Sequence, residues 1–267
     1  MKQFIVSNID IDNNNRRKIT VRGKDYNYLI TVRRSRLGDV LNIASNAKAQ
    51  TNVKAKITEI DKSAKTVTLT VIENTTIETC EHKNSSPKLP CIILLQWLIK
   101  GTKTDAVIRQ ATETGVSYII PVYGEFSVVK NENSIKLERR SRIVREARQQ
   151  SGSSVDTKVL PATSLQIALT KIEEIIQEKP AIKIMFTEKD VKQKSLHQII
   201  AKTGDIVIMA IGAEGGISEN EENLLKTNGF IACHFNTNVL RAETAALYGI
   251  AALQTLLTEE KTWQLKE

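Results

Sequence analysis

"MAIGAEGGISENEENLL", Met209–Leu225, is the stretch on which the reading of this chain turns. An apolar run ends in Gly212-Ala213-Glu214-Gly215-Gly216, and a polar segment of helical character follows. Three glycines in five positions answer one of two needs: a tight turn, or a backbone that something must approach closely. The polar segment opens with Ser218 and carries Glu221 three residues on, a capping box that starts a helix firmly. Strand, glycine turn and capped helix in that order belong to an α/β sheet, where ligands bind beyond the carboxyl ends of strands. The turn lacks the Gly-Lys-Ser/Thr of a P-loop and does not match G-x-G-x-x-G. Glu214 would repel a phosphate and suits a ligand bearing hydroxyls, amines or positive charge. Spacing alone favours a ligand somewhat over a bare strand-to-helix turn.

The same texture extends on both sides of it. Upstream, "CIILLQWLI" (91–99) reads as a buried strand, "KTDAVIRQATETG" (103–115) as a helix stopped by Gly115, and "SYIIPVY" (117–123) as a strand. A charged helix over 135–152, a "KVLPA" segment, a helix from about 164 to 178 and a strand at 181–188 follow. Strands at 205–212 and 229–236 and helices at 191–202, 218–228 and 241–258 complete the pattern. Alternating strands and helices predict a mostly parallel sheet covered on both faces.

Residues 1–72 differ. "KITVRG" (18–23), "DVLNIAS" (39–45), "TNVKAKITEI" (51–60) and "KTVTLTVI" (65–72) are alternating or β-branched runs, and "KDYNYLITVRRSR" (24–36) reads as a short helix leading into a basic loop. A small β-barrel-type module is expected there. The polar, proline-ended stretch 73–90 is expected to be a linker, and 91–267 a second domain. A chain of 267 residues supports two domains.

Charge divides at the same place. The net charge is +8, and residues 1–72 hold 14 Lys+Arg against 6 Asp+Glu, whereas 73–267 hold 24 of each. The entire excess sits in the N-terminal quarter, which points to a polyanionic partner such as nucleic acid. The longest apolar stretch, Cys91–Ile99, falls far short of the roughly 20 residues of a membrane span. No secretory h-region opens the chain, and three cysteines, Cys80, Cys91 and Cys233, form no C-x-x-C. A cytoplasmic, reducing location is expected. Cys80, His82 and Cys91 provide three ligands across the linker and no fourth, so no metal is expected. Cys233 and Trp97 read as core, His234 as structural, and "KLERRSRIVREAR" as a solvated helix face.

A second stretch, "NTNVLRAETAALYGIAAL" (236–253), puts Arg241 and Glu243 at the start of a helix rich in small residues. Small residues admit a close backbone, from a neighbouring segment or a second subunit.

The two stretches together are similar to the SPOUT class of S-adenosylmethionine methyltransferases. Within it they resemble the bacterial family that methylates N3 of a uridine near the 3′ end of 16S ribosomal RNA. That family carries "IGPEGG-hydrophobic-S" and "LG-x-RILRxETA" loops, which stand here as "IGAEGGIS" (211–218) and "FNTNVLRAETA" (235–245). "KGTKTDAVIRQATETGV" (100–116), "EFSVV" (125–129), "EARQQSG" (146–152) and, less specifically, "VRRSRLGD" (32–39) match as well. The resemblance implies a PUA-like β-barrel followed by a SPOUT α/β domain with a C-terminal trefoil knot, acting as a homodimer on the small ribosomal subunit. It implies that S-adenosylmethionine is held by Thr187, Glu188, Gly212, Glu214, Gly215, Gly216, Ile217, Asn236, Leu240, Thr244 and Ala245. Arg241 and Glu243 would be catalytic, Arg241 stabilising developing negative charge and Glu243 either orienting Arg241 or accepting the N3 proton. Arg33, Arg34 and Arg36 would meet RNA phosphates, with Lys100, Lys103, Arg145 and Arg148 as further candidates. The sequence departs from the family at Ala213, where proline is usual, and at Gln3, Phe126, Ser153 and Asn238, where arginine is usual. Two alternatives accompany this expectation: a SPOUT enzyme acting on another base or on a ribose 2′-OH, and an RNA-binding assembly factor without turnover.

Overall fold

The computed structural model describes residues 3–6, 18–45, 51–76, 89–128, 134–189, 195–200 and 206–262. The chain divides into two compact units, Met1–Ser85 with Gln149–Gly152, and Ser86–Arg148 with Ser153–Glu267.

In the first unit, strands β1 (Gln3–Val6), β2 (Lys18–Arg22), β3 (Val40–Ser45), β4 (Thr51–Asp61) and β5 (Thr66–Thr76) form one sheet in the order β1-β3-β4-β5-β2. Along β2 the exposed Lys18, Thr20 and Arg22 alternate with the buried Ile19 and Val21, the period of two that a one-sided sheet requires. Two register shifts in the β4–β5 ladder, at Lys54/Ala55 and Ile57/Glu59, let these long strands coil. The sheet curls around Phe4, Leu29, Ile43, Ile57 and Leu69, all fully buried. Helix α1 (Gly23–Asn27) and a π-helical turn at Tyr28–Val32 follow β2. Strand β1 was not anticipated, because four residues are too few for a period to emerge; it pairs parallel with β3. β5 continues to Thr76, so the expected linker starts later than residue 73. Its residues 77–88, with Cys80 and His82, lie outside the described residues, as do Gln3's side chain and positions 191–194 and 201–202 of the helix expected at 191–202.

The second unit is built on a parallel sheet ordered β12-β10-β11-β6-β7-β8. Its strands are β6 (Cys91–Trp97), β7 (Tyr118–Tyr123), β8 (Lys158–Val159), β9 (Thr163–Ser164, paired to β7), β10 (Ala181–Thr187), β11 (Ile206–Ile211) and β12 (Ile231–His234). Its helices are α2 (Lys103–Glu113), α3 (Ser134–Ser151), α4 (Leu165–Ile176), α5 (Leu196–Ile200), α6 (Glu219–Thr227) and α7 (Ala242–Thr262). The middle strand β6 is buried on both faces and shares its residues between two cores. Ile92 and Leu94 pack with side chains of α2, α3, α5 and α7; Ile93, Leu95 and Trp97 pack with α4 and α6. A continuous apolar run reads this way when helices cover both faces. Gly249 of α7 lies against β10 and β11: a Cβ there would stand 2.9 Å from Met209 Cε and 3.2 Å from Phe186 Cε2. Gly249, with the buried Ala242 and Ala246, thus serves close packing within this chain. No helix among the described residues is long and apolar enough to cross a membrane.

Candidate active site

The carboxyl ends of β10, β11 and β12 open onto a cleft of about 630 Å³. Three segments form its walls: Met185–Lys189 at the end of β10, Ile211–Ile217 after β11, and His234–Ala242 after β12. The glycine turn after β11 is closed on itself. Gly216 N–H donates to the Ala213 carbonyl at 3.0 Å, and the two residues form an isolated antiparallel bridge. A Cβ on Gly212 would stand 2.6 Å from the Gly216 carbonyl carbon, and Gly216 has φ +77°. Both needs for glycine raised by the sequence therefore apply, one for each residue.

The turn is held in place from behind. Glu221 is buried, and its Oε1 accepts from Trp97 Nε1 at 2.9 Å and from Glu125 N–H at 3.1 Å. Its Oε2 accepts from Ser218 N–H at 2.9 Å, and Ser218 Oγ accepts from Glu221 N–H at 3.2 Å, completing the capping box. One carboxylate thus joins the end of β6, the loop after β7 and the start of α6. Gly124 admits the indole: a Cβ there would lie 2.0 Å from Trp97 Cδ1. Trp97 is core, as its apolar run implied.

Of the residues expected to hold a cofactor, Thr187, Glu188, Gly212, Glu214, Gly215, Gly216, Ile217, Leu240 and Ala245 line the cleft; Asn236 and Thr244 do not. Arg241 lines it, and its carbonyl accepts from Ala245 N–H at 2.8 Å, the first bond of α7. Glu243 stands one residue inside α7. Its Oε1 is 3.3 Å from Lys103 Nζ, and its Oε2 is buried with no hydrogen-bond partner among the described residues. Burial raises the Glu243 pKa, but its own backbone N–H, the Lys103 ammonium and the Arg241 charge outweigh that, so the net shift is downward. The side chain is held as a carboxylate at neutral pH.

Sequence reasoning missed part of the wall. Met185, Phe186, His234 and Phe235 face the cleft, with the Phe186 and Phe235 rings stacked at 4.3 Å. His234 Nδ1 lies 3.1 Å from the Thr187 carbonyl, joining the ends of β10 and β12. Their common signal is position, within two residues of the end of a strand. Phe126, at a position where arginine was expected, is half exposed and covers Gly215; a Cβ on that glycine would lie 3.0 Å from Phe126 Cβ.

The expected RNA contacts separate into three groups. Arg34 and Arg36 are exposed and Arg33 half-buried, on the loop after the π-helical turn of the first unit. Lys100 and Lys103 stand at the glycine turn: Lys100 N–H donates to Glu214 Oε1 at 3.2 Å, and Lys103 lines the cleft. Arg145 is half-buried on α3. Arg148 corrects the expectation. It is buried and paired with Asp156, so its guanidinium is not presented to a phosphate. Desolvation lowers its pKa, which the Asp156 charge partly offsets.

The cleft is apolar at Met185, Phe186, Ile211 and Leu240 and charged around them, where Glu188, Glu214, Glu219 and Glu222 stand with Lys103, Lys189 and Arg241; Glu222 is bound by Lys189 at 3.1 Å and Lys226 at 2.7 Å. Such a site suits a partly apolar ligand with positive charge and disfavours a phosphate.

Comparison with known proteins agrees. Residues 86–254 match the model of the RNA methyltransferase domain family. The chain is 32% identical over 244 residues to the ribosomal RNA small subunit methyltransferase E 2 of Borreliella burgdorferi, covering 88% of this chain and 90% of that one. It is 27% identical over 240 residues to the Bacillus subtilis methyltransferase E, covering 88% of each. The structure of the Neisseria gonorrhoeae ribosomal RNA small subunit methyltransferase E bound to S-adenosylmethionine superposes with a TM-score of 0.77 at 25% identity, over 96% of this chain and 98% of that one. The chain belongs to the RNA methyltransferases, and within them to the ribosomal RNA small subunit methyltransferase E family.

Proposed function

We propose that this protein transfers a methyl group from S-adenosylmethionine to N3 of a uridine near the 3′ end of 16S ribosomal RNA. The observation that carries the reading is the cleft at the strand ends, lined by the glycine turn, Arg241 and Lys103, with Glu243, itself not a lining residue, bound to Lys103 at 3.3 Å. The residues fit the cofactor: apolar side chains for its adenosine, carboxylates for its sulfonium and ammonium, and no phosphate motif. Thr187, Glu188, the 212–217 turn, Leu240 and Ala245 would hold it. Bound there, it supplies an electrophilic methyl group.

The protein's part is alignment, exclusion of water and charge control. Uracil N3 carries a proton at neutral pH and must lose it to attack. The Glu243 carboxylate, kept ionised by Lys103 and Arg241, takes up that proton. The Arg241 guanidinium stabilises the negative charge that spreads onto the uracil oxygens. N3 is engaged in base pairing within a duplex, so the target base is unpaired or flipped out. The basic first unit, read as a PUA-like barrel, supplies phosphate contacts through Arg33, Arg34 and Arg36. A trefoil knot in the second unit accounts for the convergence of the 187–188, 212–217 and 236–245 segments. The enzyme acts in the cytoplasm as a homodimer, with the exposed Tyr248 side of α7 available to a second copy.

Nucleoside mass spectrometry of ribosomal RNA from cells with and without the gene tests the reading. Loss of 3-methyluridine on deletion is expected; loss of a 2′-O-methyl nucleoside instead would overturn the N3 assignment.

A further inference from the structure

Lys103 was expected to meet RNA, yet its surroundings are carboxylates of its own chain. The ammonium is 3.3 Å from Glu243 Oε1 and 3.8 Å from Glu214 Oε1. Glu214 is also held by the Lys100 backbone N–H at 3.2 Å. The turn between β6 and α2 therefore grips both the glycine turn and the first turn of α7. Two like charges converging on one ammonium would repel each other in its absence.

The geometry points to Lys103 as a positioning residue, whose ammonium binds Glu243 through Oε1 so that Oε2 is the oxygen left to receive a proton, while its second contact keeps the Glu214 turn in register with Glu243. This rests on the reading of Glu243 as the proton acceptor. Three observations support it independently of any RNA. Glu243 Oε2 is buried and lacks a hydrogen-bond partner among the described residues, an arrangement that is costly unless a donor arrives. Lys103 lies on the cleft wall and connects it to Glu243, which is not itself a lining residue. The charged groups facing Glu243 are Lys103 from α2 and Arg241 from the preceding loop, and both favour its ionised form. A lysine shared by two carboxylates keeps little charge to spare for a phosphate.

Lys103→Met and Lys103→Arg test the assignment on the full chain. In the free protein, the Glu243 carboxyl is titrated by carbon NMR; with saturating S-adenosylmethionine and 16S ribosomal RNA, kcat and KM are followed against pH. Lys103→Met is expected to move the Glu243 midpoint upward, because a cation that favoured the carboxylate is gone. The acidic limb of kcat should move with it, since the base is active only when ionised. We expect kcat near neutrality to fall about tenfold, with the KM for RNA changed less than about twofold and Lys103→Arg recovering most of the loss. An unmoved Glu243 midpoint overturns the proposal. So does a raised KM for RNA at unchanged kcat, the signature of a phosphate contact. A midpoint that moves in Lys103→Met, with a wild-type protein that methylates no RNA, would uphold the Lys103–Glu243 link and reject the functional reading instead.

Discussion

Gly212 shows how much of the site depends on single atoms. The turn folds so tightly that the Gly216 carbonyl group occupies the space a Gly212 side chain would need. The obstruction is backbone, which cannot rotate aside. Gly212→Val should therefore open the turn and weaken S-adenosylmethionine binding by at least about a hundredfold, read by calorimetry, about 2.7 kcal/mol. Gly215→Val first meets the Phe126 side chain, which can shift where backbone cannot, so it should disturb the turn itself less than Gly212→Val. Equal affinity of Gly212→Val and wild type would remove the turn from the binding site. The need for glycine was legible at both positions. Which neighbour imposed it was not, because Gly212 answers to a residue four positions on and Gly215 to one 89 positions earlier.

Helix α6 is the element that fixes the turn from outside. Its capping box was readable from Ser218 and Glu221 alone, because both partners lie within one turn of helix. The second duty of Glu221 was hidden, since Trp97 and Glu125 come from distant segments. Ser218→Ala should remove one cap bond and cost about 1 kcal/mol. Glu221→Ala also strands the buried Trp97 N–H and the Glu125 and Ser218 backbone donors; a loss of roughly 3 kcal/mol is expected. Chemical denaturation of the two variants separates these values. Similar losses would mean that the carboxylate serves the cap only. At the same scale β1 escaped prediction, because a four-residue strand acquires its identity from β3 beside it.

Across the whole molecule, charge and chemistry are segregated by sequence. The excess of positive charge belongs to residues 1–72, and the cleft belongs to the second unit. Replacing Arg33, Arg34 and Arg36 together by alanine should lower the slope of log affinity for RNA against log salt by about 2, at roughly 0.7 per phosphate contact. Cofactor affinity should stay within twofold or so of wild type. A parallel loss of both affinities would contradict the division of labour between the units.

What the amino-acid sequence determined by itself was local: the order of strands and helices, the glycine turn, the cap of α6, the apolar run of β6 and the charge asymmetry. Each follows from residues within a few positions of one another, where backbone geometry and side-chain period decide the outcome. The tertiary structure alone decided which distant side chains share a space. It buried Arg148, an expected RNA contact, beside Asp156, and set Lys103 on the cleft wall, 3.8 Å from Glu214 and 3.3 Å from Glu243. A lysine or arginine in the sequence is only a charge on a long stem; burial and the nearest carboxylate, fixed by the packing of the sheet and its helices, decide whether that charge faces a ligand or holds the protein together.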